Sequence, residues 1–103
     1  PRPVYIRDEY RGSGKLEGKR ALITGGDSGI GRSVAVHFAR EGADVGIVYL
    51  PEEESDASET AKFVRAEGRD CFLLPADLSE EEACREVVAK AIAGMGGLDI
   101  LIN

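Results

Sequence analysis

The sequence predicts an α/β fold: a parallel sheet doubly wound by helices, in a partial β-α-β-α-β-α-β run behind an irregular N-terminal arm. Two observations predict it. Four short, nearly continuous apolar runs alternate with three segments of helical periodicity, the pattern of parallel strands joined by right-handed crossovers. A glycine-rich turn, Thr24-Gly25-Gly26-Asp27-Ser28-Gly29-Ile30-Gly31, stands directly between the first apolar run and the first helical segment.

Residues 1–15 read as the arm, with Pro1, Pro3, Gly12 and Gly14 as breakers and charges throughout. Strands are predicted at residues 20–24, 45–50, 71–74 and 99–102, each apolar enough to be covered on both faces. The first helix is predicted at 29–41. Ile30, Val34 and Phe38 form one apolar ridge, and Gly31, Ala35 and Ala39 a narrower one that lets the helix lie close to the sheet. Gly42 ends it. The second helix, at 55–67, follows Pro51 and the acidic tract Glu52-Glu53-Glu54, read as a solvated helix entrance whose charge suits the dipole. Ala57, Ala61 and Val64 mark its inner face, and Gly68 stops it. The third, at 79–93, opens on an S-x-x-E capping box of Ser79 and Glu82. Its buried stripe joins Ala83, Val87 and Ala91 to Cys84, Val88 and Ile92, and Gly94, Gly96 and Gly97 close it.

The glycine turn carries the chemistry. A strand that feeds such a turn, with a helix at once behind it, offers bare backbone N–H groups and the positive end of a helix dipole to a phosphate. Glycine there allows positive φ and a close approach to the main chain. Three nucleotide patterns compete. G-x-G-x-x-G fails, because Val34 stands where its third glycine belongs. A P-loop nearly fits, but Arg32 replaces the lysine that must fold over the β- and γ-phosphates, and arginine is no neutral swap for that point charge. T-G-x-x-x-G-x-G is filled position by position by Thr24, Gly25, Gly29 and Gly31.

That third pattern resembles the short-chain dehydrogenase/reductase family. The lead-in Lys15-Leu16-Glu17-Gly18-Lys19-Arg20, the segment Pro75-Ala76-Asp77-Leu78-Ser79 and the end Gly97-Leu98-Asp99-Ile100-Leu101-Ile102-Asn103 are similar to the family's corresponding stretches. The likeness covers residues 16–103. It implies the N-terminal part of a Rossmann dinucleotide-binding domain and a hydride transfer between nicotinamide and a carbonyl or alcohol carbon. By it, residues 25–31 wrap the pyrophosphate and ribose, drawing on Gly25, Asp27, Ser28, Gly29, Ile30 and Gly31. Asp77 and Leu78 border the adenine, Tyr49 and Leu50 stand at the strand end that meets the ribose, and Asn103 begins the nicotinamide side. Asp77 also reads as a turn residue before the third helix, and Ser28 as a cap of the first.

The cofactor is expected to be NAD, with NADP as the alternative. The corner Tyr49-Leu50-Pro51-Glu52 offers neither the acid nor the base that usually reads the ribose 2′ position. The glutamates that follow disfavour a 2′-phosphate; Arg32 is a candidate to offset them.

The family's Y-x-x-x-K pair is absent, since Glu9, Gly14 and Glu53 stand four residues after Tyr5, Tyr10 and Tyr49. No catalytic residue is therefore assigned. That absence, an opening proline and an apolar last strand lead to the expectation that these residues belong to a longer reductase. The alternative is a non-catalytic nucleotide-binding or interaction fragment.

The chain has 103 residues, 43% hydrophobic and 31% charged, with net charge −6. Scattered cations and this charge argue against a nucleic-acid partner. No apolar run approaches the roughly 20 residues of a membrane span. The start lacks a signal-peptide layout, so a cytoplasmic protein is expected. Cys71 and Cys84 have no metal-ligand spacing, His37 is the only histidine, and no metal site is expected. The partners expected are a small carbonyl or alcohol substrate and, by the family resemblance, further copies of the chain in a homotetramer.

Overall fold

The computed structural model describes residues 14–25 and 29–103. Its elements are β1 (Arg20–Thr24), α1 (Gly29–Arg40), β2 (Asp44–Tyr49), a short 3-10 turn (Pro51–Glu53), α2 (Glu54–Ala66), β3 (Cys71–Pro75), α3 (Glu81–Met95) and β4 (Ile100–Ile102). The strands form one parallel sheet in the order β3-β2-β1-β4. Ala21 lies opposite Val45 on one side and Ile100 on the other. The expected doubly wound, Rossmann-like α/β architecture is present.

Strand alternation sorts the core into two layers. Ile23, Val45, Ile47 and Tyr49 face α1 and α2, where they meet Ala35, Ala39, Ala57, Ala61 and Val64. Leu22 and Val48 face α3, where they meet Val87 and Ala91. Gly46 also belongs to this second layer. A Cβ there would stand 3.0 Å from Leu22 Cδ1 and 3.3 Å from Met95 Cε, so glycine is what lets the end of α3 close on β2.

Several sequence expectations need correction. In α1 the small ridge of Ala35 and Ala39 is buried, whereas Ile30 is 47% exposed and Val34 and Phe38 are only partly buried. Small side chains let the helix axis approach the sheet, and that approach pushes the bulky ridge to the flank. The box of Ser79 and Glu82 does not form. α3 starts at Glu81, its N-cap is Glu80, and no side chain caps it. Asp77 Oδ1 instead accepts the Ser79 N–H at 3.0 Å, which holds Ser79 in the preceding turn. Ile92, expected in the buried stripe, is 45% exposed, and α3 runs on to Met95 past Gly94.

The acidic tract is more than a solvated entrance. Glu53 accepts the Leu50 N–H at 3.3 Å, and Glu54 accepts the Tyr49 hydroxyl at 2.7 Å. Most of the arm lies outside the described residues; its last residue, Lys15, is an exposed turn residue tied to the domain. Its N–H donates to the Glu41 carboxylate at 3.2 Å, and the Leu16 N–H donates to the Glu41 carbonyl at 2.8 Å. Cys71 is buried as a small apolar group, and burial pushes its thiol up to about 11. Half-buried Cys84 donates to the Leu78 carbonyl at 3.3 Å. His37 is half-buried within α1.

Candidate functional site

All four strands point the same way, so their carboxyl ends share one edge of the domain. The order β3-β2-β1-β4 reverses direction between β1 and β4, and open α/β sheets bind ligands in the crevice at such a switch point. Thr24, at the end of β1, donates its hydroxyl to the Ile102 carbonyl at 3.3 Å and ties the two strand ends together.

Behind Thr24 the chain turns sharply. The Gly25 N–H donates to the Val48 carbonyl at 2.8 Å, which anchors the turn on β2. Gly25 and Gly29 have φ of 72° and 59°, a region that strains other L-residues. A Cβ at either would meet nothing within 4 Å among the described residues. The requirement for glycine here is thus conformational. Gly29, Ile30 and Gly31 form the first turn of α1, whose leading N–H groups have no partner within the helix. Asp27 and Ser28 lie outside the described residues.

Next to this turn a cleft of about 240 Å³ is lined by Gly25, Val48, Tyr49, Leu50, Glu53, Ala76 and Leu78. Four of the residues singled out in the sequence, Gly25, Tyr49, Leu50 and Leu78, therefore meet around one cavity. Its walls are largely aliphatic, as suits the face of a flat ring. The Ala76 N–H donates to the Tyr49 carbonyl at 2.9 Å and fixes the β3 end against the β2 end. Tyr49 is buried in the α1/α2 layer. Its hydroxyl is pushed up to about 12 by burial and by the hydrogen bond and negative charge of Glu54, so it stays protonated and structural at ordinary pH.

Asp77 is exposed and does not line the cleft, although its neighbours Ala76 and Leu78 do. The Ser79 N–H and hydroxyl hold its carboxyl below the usual range, so it is charged. Asn103 lies just past β4, exposed at the same edge and apart from the cleft. Arg32 does not line the cleft. Its Nε donates to Thr60 Oγ1 at 2.8 Å, Nη1 pairs with Glu59, Nη2 donates to the Asp56 carbonyl at 3.1 Å, and the guanidinium lies 5.7 Å from the Phe63 ring centre. Sequence reasoning missed Val48, Glu53 and Ala76 as cleft residues. For Glu53 a signal existed: a turn opened by Pro51 returns the third residue after Leu50 toward the strand end.

The sequence matches the family described as short chain dehydrogenase over residues 19–103. The chain belongs to that family. It is 57% identical over 103 residues to general stress protein 39 of Bacillus subtilis (strain 168), covering 100% of this chain and 36% of that protein. Among solved structures it resembles a short chain dehydrogenase from Burkholderia cenocepacia J2315 in complex with NADP, with TM-score 0.81 and 42% identity over 86% of this chain and 36% of that one. It also resembles carveol dehydrogenase from Mycobacterium avium in complex with NAD, with TM-score 0.77 and 33% identity over the same shares, 86% and 36%. The chain therefore spans about a third of the length of these relatives.

In this short-chain dehydrogenase chain the described residues fit a nicotinamide cofactor. A positive-φ turn, a helix N-terminus and an aliphatic cleft stand side by side. Among the described residues no group of three or more His, Cys, Asp or Glu could hold a metal ion, and no helix is long and apolar enough to cross a membrane.

Proposed function

We propose that this chain forms the adenosine and pyrophosphate half of the cofactor site of an NAD-dependent oxidoreductase. The whole protein moves a hydride between nicotinamide and a small carbonyl or alcohol substrate. One juxtaposition carries the reading: the glycine turn, the α1 N-terminus and the cleft meet at the switch-point edge of the sheet. Bound NAD supplies the redox chemistry at its nicotinamide ring; this chain's residues bind and orient it.

Gly25 and Gly29 admit the pyrophosphate, and backbone N–H groups of Ser28, Ile30 and Gly31 receive its charge, with Asp27 beside them. Leu50 and Leu78 hold the adenine between them, and Asp77, which spends one oxygen on Ser79, offers the other to the adenine amino group. Tyr49 shapes the floor from the core side. Asn103 borders the nicotinamide end.

The engagement of Arg32 with α2 favours NAD over NADP, because it directs that guanidinium away from the ribose corner. The Burkholderia and Mycobacterium relatives, named as complexes with NADP and NAD, support a nicotinamide cofactor on this fold. The same reading places the protein in the cytoplasm, in keeping with two cysteines left as thiols. It makes the protein a homotetramer, as the family resemblance implies; analytical ultracentrifugation reads that directly.

The experiment is a fluorescence titration of the full-length protein with NADH, followed by NADH oxidation against a panel of aldehydes and ketones. Saturable binding and turnover with some member are expected. Gly29→Val should weaken NADH by about tenfold, since a β-branched residue is strained at that φ. Absence of NADH and NADPH binding would overturn the proposal.

A further inference from the structure

Resting on the NAD reading above, the geometry points to Glu53 as the residue that selects a ribose 2′-hydroxyl over a 2′-phosphate. The β2 end carries no acid of its own, only Tyr49 and Leu50. Three glutamates follow, and the fold separates their roles. Glu52 is exposed and does not line the cleft. Glu54 lies at the start of α2 and accepts the Tyr49 hydroxyl at 2.7 Å. Glu53 alone of the three lines the cleft.

Its position is built by the chain around it. Pro51 opens the 3-10 turn with a fixed φ. That turn brings residue 53 back over the strand end, where Glu53 Oε1 accepts the Leu50 N–H at 3.3 Å and the Glu53 N–H donates to the Leu50 carbonyl at 2.8 Å. A carboxylate has about four acceptor sites on two oxygens, so accepting Leu50 leaves capacity for a sugar hydroxyl. Among the described residues no Lys or Arg lines the cleft to neutralise it, and Arg32 is bound along α2.

The chemistry then discriminates by sign. A hydroxyl donates to the carboxylate, whereas a phosphate offers only acceptors and like charge. An acid three residues beyond the strand end replaces one at the end itself.

The test is calorimetric titration of the full-length protein with NAD and with NADP, in wild type, Glu53→Gln and Glu52→Gln. In Glu53→Gln the amide carbonyl of the new side chain can still accept the Leu50 N–H, and melting curves check that each variant is folded. Wild type is expected to bind NAD at least about tenfold tighter than NADP. Glu53→Gln should narrow that ratio by about tenfold, chiefly by tightening NADP, while Glu52→Gln, with the same change in net charge, leaves it within about twofold. Raising salt should narrow the wild-type ratio and leave that of Glu53→Gln nearly flat. An unchanged ratio in a folded Glu53→Gln that binds NAD overturns this inference and leaves the cofactor site standing, as does a wild type that prefers NADP. Binding of neither dinucleotide overturns both.

Discussion

The two faces of the sheet are built from similar sequence material and end differently. On the α1/α2 face, Ala35, Ala39, Ala57, Ala61 and Val64 are all essentially inaccessible, and the two helices pack on each other as well as on the strands. Ion pairs lock that pairing, Arg32 to Glu59 and Arg40 to Glu67, the latter at 2.9 Å. On the α3 face only Val87 and Ala91 of the helix are buried; Val88 is partly buried, and Ile92 is 45% exposed. The ion pair within α3, Arg85 to Glu81, is exposed and lies along the helix itself. Within these residues α1 and α2 seal each other, whereas α3 packs on the sheet alone. The candidate cleft draws on both faces: Tyr49 belongs to the α1/α2 layer, whereas Val48, Ala76 and Leu78 belong to the α3 layer.

That contrast makes unequal mutations out of similar ones. The largest effect is expected from Ile47→Ala, which empties a fully buried position between β2 and the α1/α2 layer. Urea unfolding of the full-length protein should show a loss of about 2–5 kcal/mol. Arg85→Ala on α3 should cost under about 1 kcal/mol by the same measurement, because its ion pair with Glu81 is exposed and lies along the helix itself. Equal losses at the two positions would break the comparison.

Gly46→Val sharpens it from the other side. The added Cβ lies 3.0 Å from Leu22 Cδ1, so overpacking should cost about 1–3 kcal/mol and displace Met95 at the end of α3. A structure of the variant should show α1 and α2 unmoved.

Tyr49→Phe removes the hydrogen bond from the buried hydroxyl to Glu54, a loss of about 1–2 kcal/mol at neutral pH. The sign of its pH dependence follows from linkage. The folded-state pKa of Tyr49 is raised from 10.0 to about 12, so its contribution is whole below pH 10 and disappears as pH climbs toward 12. Wild type should lose stability over that window, and Tyr49→Phe should lose less of it.

The smallest effect belongs to the exposed Asp99, whose carboxyl is held below its usual range mainly by the Arg20 N–H at 2.9 Å and then by the guanidinium. A depressed carboxylate stabilises above its unfolded pKa, and that stability is lost as pH falls through the lowered folded value. Asp99→Asn should therefore flatten the acid limb of an unfolding curve and leave the alkaline limb alone.

Much of the fold was legible because periodicity and punctuation agree locally. Ala57, Ala61 and Val64 were read as an inner face and are buried, and Gly42, Gly68 and Gly96 follow the helices they were expected to end or close. What misled was tertiary. Ile30 and Ile92 sit in apolar ridges that the pattern could not tell from core, since exposure depends on what packs alongside. Ser79 and Glu82 matched a capping box, but Asp77 competed for the Ser79 N–H and won. In the site, Gly25, Tyr49, Leu50 and Leu78 were readable from the motif and the strand ends. Ala76 was not, because its hydrogen bond to the Tyr49 carbonyl brings it in, and Glu53 was signalled only by the turn that Pro51 opens.

The most direct test of the central claim is backbone amide hydrogen exchange of the full-length protein with and without saturating NAD. The account predicts that protection rises at the glycine turn of residues 25–31, at Leu50 and Glu53, and at residues 76–78, while the outer face of α3 is unchanged. Protection confined to other regions, or none at a concentration shown to saturate the protein, would mean that the switch-point edge of this sheet is not where the cofactor binds.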